Sequence, residues 1–74
     1  MKLSDLHKGQ KAIIKKITAS DDLKHRFFSF GIIKGTHIRV DEVSLSKNTI
    51  AFDVDGTEIA IRIEEAKTIE VEVL

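Results

Sequence analysis

Apolar and polar residues alternate along four stretches of the chain, and this period of two predicts four β-strands. The four stretches are residues 36–45, 50–54, 59–63 and 69–73. Asp55-Gly56, between the second and third stretches, is typical of a two-residue hairpin turn. The residues predicted to face inward from the strands are Ile38, Val40, Ile50, Phe52, Val54, Ile59, Ile61, Ile63, Ile69, Val71 and Val73.

The first of these strands changes phase halfway along its length. Ile38 and Val40 share one face. The next apolar pair, Val43 and Leu45, shares the opposite parity and is expected inside as well. Asp41-Glu42 therefore predicts a β-bulge or bend, which is a device that lets a sheet curl into a barrel.

Residues 10–18 predict a further strand that carries apolar side chains on both of its faces. Ile13 and Ile17 lie on one face, whereas Ala12 and Ile14 lie on the other. A strand of this kind needs cover on its outer side. The sequence predicts that a neighbouring helix provides it.

That helix is predicted to follow at once. Ser20 is a suitable N-cap. Residues 21–22 are both Asp, and their negative charge is favourable at the positive end of the helix dipole. Gly31 is suited to the left-handed conformation that ends many helices. A turn over residues 32–35 then leads into the next strand, with Gly35 free to adopt positive φ.

One face of the helix is predicted to be buried, because Leu23, Phe27 and Phe30 stand at positions i, i+4 and i+7. Phe28 lies about 100° round the helix from Phe27 and borders this stripe. Large apolar residues in a small domain usually lie in the core, so we expect Phe28 to line it. Exposure of Phe28 is the alternative, and it would indicate a binding surface.

Five short strands and one helix can bury a core in so short a chain only if the sheet curls. We therefore predict a mainly β fold, a small and partly open barrel with one α-helix inserted after the first strand. No boundary or internal repeat is evident, so residues 1–74 are expected to form a single domain. No apolar run approaches membrane-spanning length, which favours a cytosolic location.

Twelve basic and twelve acidic side chains cancel, whereas nucleic-acid binders usually carry a basic surplus. A nucleic-acid-binding barrel remains the least favoured of the binding hypotheses. The residues that could form its basic patch are Lys8, Lys11, Lys15, Lys16 and Arg39.

Candidate chemistry is sparse. The absence of Cys excludes disulfides and thiolate metal sites, and His7, His25 and His37 do not form closely spaced ligand pairs. There are two acidic pairs, residues 21–22 and 64–65. The two residues of each pair are adjacent in sequence, so their carboxylates do not face each other across a cleft. We predict neither an enzyme nor a cofactor or metal site.

Three segments together resemble the ferrous iron transport protein A (FeoA) family. Leu3, Leu6 and Gly9 fit its opening LxxLxxG pattern, and residues 26–35 fit RLxxLGxxxG, with Phe in place of both Leu residues. Residues 61–71 fit LRxxEAxxIxV. The resemblance covers nearly the whole chain and implies an SH3-like β-barrel.

The resemblance also implies a cytosolic accessory role for the membrane ferrous-iron transporter FeoB, whose cytosolic part is a GTP-binding domain. Contact with the membrane would then be indirect, and no small-molecule substrate is expected. The helix and its following turn are the candidate docking site, with Phe28, Ile32, Ile33 and Lys34 as contact residues. Similar domains form the C-terminal part of iron-dependent repressors, so a metal-responsive or weakly self-associating module is the alternative.

Overall fold

The computed structural model describes all 74 residues. A short 3-10 turn opens the chain. The elements that follow are β1 (Lys11–Ile17), α1 (Asp21–Ser29), β2 (His37–Ser44), β3 (Thr49–Val54), β4 (Thr57–Arg62), α2 (Ile63–Ala66) and β5 (Ile69–Val73). Neither helix has the length and apolar character needed to cross a lipid bilayer.

The five strands form one antiparallel sheet in the order β4-β3-β2-β1-β5. The sheet curls but does not close, because β4 and β5 lie at its two ends and do not pair with each other. The predicted mainly β fold, with one main helix after the first strand, is confirmed.

Two irregularities in register bend the sheet. The first lies between Val40 and Glu42, where β2 pairs with β3, and it confirms the bulge predicted from the change of phase. The second lies between Ile14 and Lys16, where β1 pairs with β5. Charged residues interrupt the apolar alternation there, but the sequence pattern alone did not indicate this second bulge.

The hairpin between β3 and β4 turns through Asp55 and Gly56, whose φ angles are 50° and 88°. Positive φ at both central residues is the type I′ conformation, which matches the twist of the flanking strands. The turn confirms the predicted pairing of β3 with β4. The strand predicted over residues 59–63 ends one residue too late, because Ile63 begins α2 and donates its backbone N–H to the Asn48 carbonyl.

Fifteen side chains form one buried cluster, and none of them is polar. They are Leu3, Leu6, Ala12, Ile14, Phe27, Ile32, Ile38, Val40, Ile50, Phe52, Val54, Ile61, Ala66, Ile69 and Val71. Leu45, predicted to point inward, is instead 83% exposed. β2 ends at Ser44, so Leu45 already belongs to the turn that follows, where strand alternation no longer sets direction.

Candidate docking surface

Helix α1 begins as the sequence predicts. The Ser20 side chain accepts a hydrogen bond from the backbone N–H of Leu23 over 3.4 Å, and Asp21 and Asp22 occupy the first turn. This cap satisfies one of the N–H groups that a helix start leaves without an intrahelical partner. Phe27 is then placed on the buried face, where it fills the core.

The end of α1 is a Schellman motif, which is a turn closed by two backbone hydrogen bonds around a left-handed residue. The Ile32 N–H donates to the Phe27 carbonyl over 2.9 Å, and the Gly31 N–H donates to the Phe28 carbonyl over 3.0 Å. Gly31 holds φ of +82°, the conformation predicted for it. The motif carries Ile32 back onto the core, next to Phe27 in the buried cluster.

The same turn directs three other large apolar side chains outward. Phe28 is 70% exposed, Phe30 is 43% exposed and Ile33 is 42% exposed. Isolated exposed apolar residues are common, but three within six consecutive residues form a feature that calls for an explanation. We use the term helix patch for six exposed apolar and basic residues of this segment, which are Lys24, His25, Phe28, Phe30, Ile33 and Lys34.

Three expectations for this segment need correction. Phe28 does not line the core, because it lies on the side of α1 that faces away from the sheet. Phe30 leaves the predicted buried stripe because α1 ends at Ser29, and Ile32 reaches the core through the turn. Ile32 is only 1% exposed, so its side chain is not available to a partner in this structure.

Basic side chains are exposed in the same segment as the apolar ones. Lys24 and His25 line a shallow open groove with Phe28, at the i, i+4 and i, i+3 spacings that make helical neighbours. Lys34 is exposed directly after Ile33. Arg26 has a different role, because its guanidinium is paired with the Glu65 carboxylate of α2. The helix patch therefore combines three exposed apolar side chains with Lys24, His25 and Lys34.

The acidic pair at residues 64–65 serves the structure of α2. Glu65 accepts a hydrogen bond from the Arg62 backbone N–H over 2.9 Å and also binds Arg26. Its neighbour Glu64 accepts from its own backbone N–H and from the Asn48 amide, and these bonds lower the pKa of Glu64. Both carboxylates are thus occupied in holding the turn between β4 and β5.

The remaining candidate ligands stay apart. His7, His25 and His37 do not gather with each other or with acidic residues into a group of three or more. In the proposed basic patch, Lys11 and Arg39 are cross-strand partners on β1 and β2. Arg39 is also bonded to Asp41 over 3.2 Å, which partly neutralises the patch.

Two surface features were not anticipated from the sequence. Leu45 and Val43 line a second open groove with residues 4–8. Glu58 on β4 lies among Asp41, Glu42 and Asp53; the hydrogen bond to Asp41 and these negative charges raise the pKa of Glu58. Both features bring together residues that lie far apart in the sequence, which local patterns do not reveal.

Comparison with known proteins gives a consistent result. A model of the FeoA domain family matches residues 1–73. A Campylobacter jejuni protein described as an Fe(2+) transport protein A is 42% identical over 74 residues, which cover all of both chains. A Porphyromonas gingivalis protein is described as a fusion of Fe(2+) transport protein A with the Fe(2+) transporter FeoB. It is 27% identical over 74 residues, which are all of this chain and 9% of the length of the fusion protein.

Solved structures share the fold. The crystal structure of Stenotrophomonas maltophilia FeoA complexed with zinc, described as a prokaryotic SH3 domain protein, has a TM-score of 0.83 and 28% identity. The similarity covers 97% of this chain and 89% of that one. A manganese-dependent transcriptional repressor has a TM-score of 0.95 at 22% identity over all of this chain and 36% of its own, which shows a shared fold alone.

Proposed function

The chain belongs to the FeoA family, a family linked to Fe(2+) transport, and from this we propose that it is an accessory protein of ferrous iron uptake. It acts at the cytosolic face of a FeoB-type transporter, by docking onto the GTP-binding part of that transporter. The helix patch is the docking surface. The protein works by binding and does no chemistry of its own.

The observation that carries this proposal is the exposure of Phe28 beside Lys24 and His25. A side chain of this size at 70% exposure gains about 1.5–3 kcal/mol when a partner removes it from water. Aromatic residues that fill a pocket on a partner are the usual anchors of protein interfaces. Two of the four Phe residues of the chain, Phe28 and Phe30, are exposed, although its core is small.

Charge supports a particular kind of partner surface. Lys24 and Lys34 are exposed, and neither forms an ion pair within the chain. Unpaired positive charge in the same segment as exposed apolar side chains fits an acidic surface with a hydrophobic pocket, and it speeds encounter with that surface. We expect such a pocket on the cytosolic part of the transporter.

The fusion protein from Porphyromonas gingivalis supports the choice of partner. Its description joins Fe(2+) transport protein A and the transporter FeoB in one polypeptide. A covalent link raises the effective concentration of one part near the other to about the millimolar range, so even a weak contact is populated. Separate chains such as this one would need the helix patch to supply the affinity.

The test is a titration of this protein against the purified cytosolic domain of the cognate FeoB, without nucleotide and with a GTP analogue. Saturable binding is expected, and a difference in affinity between the two nucleotide states measures their coupling. Ile33→Asp should weaken binding because it places a negative charge in the helix patch. Leu45→Asp makes the same kind of change on another surface and should bind like the wild type.

Absence of binding in both nucleotide states would contradict the proposal and direct attention to the alternative. That alternative is a metal-responsive or self-associating module, and the shared fold of the manganese-dependent repressor is compatible with it. Titration with Fe²⁺ or Mn²⁺, followed by the amide resonances of His7, His25 and His37, would then identify any binding site. Tight, stoichiometric binding would support the alternative.

A further inference from the structure

The outer edge of β4 lacks a partner. β4 is the last strand of the sheet, and no strand pairs with its far side. At the opposite end of the sheet, β5 is covered in part, because the Val71 N–H donates to the Met1 carbonyl and Lys2 bridges to Glu70. The two edges of the sheet are therefore not equivalent, and only that of β4 is open along its centre.

The register of the hairpin decides which groups this edge presents. In a two-residue hairpin the residues that flank the turn, here Val54 and Thr57, form a hydrogen-bonded pair. The backbone groups of Thr57 and every second residue after it point toward β3. Those of Glu58 and Ala60 point outward, and neither residue appears among the backbone bonds outside the ladders.

We propose that two copies of this chain associate by antiparallel pairing of their β4 edges, about a twofold axis at Ala60. The Ala60 N–H of each copy donates to the Ala60 carbonyl of the other. Arg62 adds no backbone bond, because its N–H donates to the Glu65 carboxylate and its carbonyl, at the N-cap of α2, accepts the first bond of that helix. Two backbone hydrogen bonds therefore join the copies at Ala60, and the two sheets become one continuous sheet.

This register is complementary in charge. Glu58 of each copy faces Arg62 of the other on the outer surface, where both side chains are exposed. Ala60 meets itself at the axis, where its small side chain allows close approach. On the inner surface Ile59, which is half-buried in the single chain, comes opposite Ile61 and loses further contact with water.

Neither of the two charges has a partner of opposite charge within a single chain. Glu58 is surrounded by Asp41, Glu42 and Asp53, with Asp53 directly opposite it on β3. The hydrogen bond to Asp41 and the surrounding negative charges raise the pKa of Glu58, so a cation placed nearby is favourable. Arg62 forms no ion pair in the chain. Charges on an edge strand usually prevent pairing, but here the twofold register converts them into attraction.

A second copy fits this edge better than an unrelated strand, because the opposite charges stand symmetrically about Ala60. The inference concerns residues outside the helix patch and does not depend on the proposed function. Failure of one would leave the other standing.

The test is a charge exchange. Sedimentation equilibrium at low ionic strength, up to about 1 mM protein, should detect a weak dimer of the wild type. In a dimer of either Glu58→Arg or Arg62→Glu, both cross-strand pairs of residues 58 and 62 carry like charges. Each variant should therefore weaken self-association about tenfold. An equimolar mixture of the two variants should recover association, because both cross-strand pairs in the mixed dimer are again opposite in charge.

Lys47→Glu is the matched control, since it makes the same change in charge as Arg62→Glu on an exposed loop residue without an ion pair. It should associate like the wild type. In the wild-type protein, hydrogen exchange of the Ala60 amide should slow as concentration rises, and this readout needs no variant. A protein that stays monomeric throughout, a mixture that fails to recover association, or an Ala60 amide indifferent to concentration would overturn the proposal.

Discussion

The backbone N–H of Ile32 donates to the carbonyl oxygen of Phe27 over 2.9 Å, and both side chains lie in the buried cluster. Together with the bond from the Gly31 N–H to the Phe28 carbonyl, it closes the turn that ends α1. It brings Ile32 inward and leaves Phe28 and Ile33 on the outside. The helix end therefore determines both the core contact and the composition of the helix patch.

Gly31 should be difficult to replace because its φ of +82° is unfavourable for residues with a side chain. Gly31→Ala is expected to cost about 1–2 kcal/mol in free energy of unfolding. The strain lies in the backbone, since an added Cβ would meet Val54 Cγ1 at an ordinary 3.6 Å. Gly31→Asn should cost less, because Asn tolerates this conformation better. Chemical denaturation measures both, and equal losses would contradict the explanation.

Phe27 and Phe28 are adjacent in sequence but should differ sharply in their contribution to stability. Phe27→Ala leaves a cavity in the core and is expected to cost about 3–5 kcal/mol. Phe28→Ala removes an exposed side chain and should change stability by less than about 0.5 kcal/mol. Thermal and urea unfolding of the two variants would show the difference. Comparable destabilisation would mean that Phe28 is packed in the free protein.

Ser20→Ala should shorten or destabilise α1 through loss of the cap on the Leu23 N–H. The expected cost is about 1 kcal/mol. Ser29→Ala is a control within the same helix, because the Ser29 hydroxyl only donates to the Arg26 carbonyl at the exposed C-terminal end. Denaturation curves for both variants test this. A Ser29→Ala loss as large as that of Ser20→Ala would argue against the cap as the cause.

The pKa of Glu64 should lie below the ordinary value of 4.5, because its carboxylate accepts from its own backbone N–H and from Asn48. A carboxylate with a depressed pKa stabilises the folded state above its unfolded pKa, and this contribution is lost as pH falls through the folded value. Asn48→Gly removes the amide while permitting the φ of +56° at that position. An NMR titration should show the Glu64 pKa rising in this variant, and an unchanged pKa would contradict the assignment.

Local patterns predicted most of the fold, because its strands are short and bury one face. The Asp55-Gly56 turn, the change of phase at Asp41-Glu42 and the Ser20 cap all act within a few residues, so the sequence alone indicates them. The bulge at Ile14/Lys16 depends on how β1 meets β5, whose residues are more than fifty positions away. No local pattern carries that information.

The candidate site was predicted less well than the fold, for a reason that lies in the helix end. Helical periodicity predicted that the buried stripe continues from Phe27 to Phe30. The helix ends at Ser29, however, and after the left-handed Gly31 it is Ile32 that occupies the next core position. Helical spacing does not apply beyond a left-handed residue. Phe28 and Ile33 remain exposed, as a docking surface requires, whereas Ile32 does not.

The affinity of the wild type, Phe28→Ala and Leu45→Ala for the cytosolic domain of the cognate FeoB tests the central claim most directly. Both variants lose a highly exposed apolar side chain, one from the helix patch and one from the turn after β2. Loss of an interface anchor should weaken binding by about tenfold or more for Phe28→Ala, and Leu45→Ala should match the wild type. Undiminished binding by Phe28→Ala, with the fold intact, would show that the transporter does not recognise the helix patch.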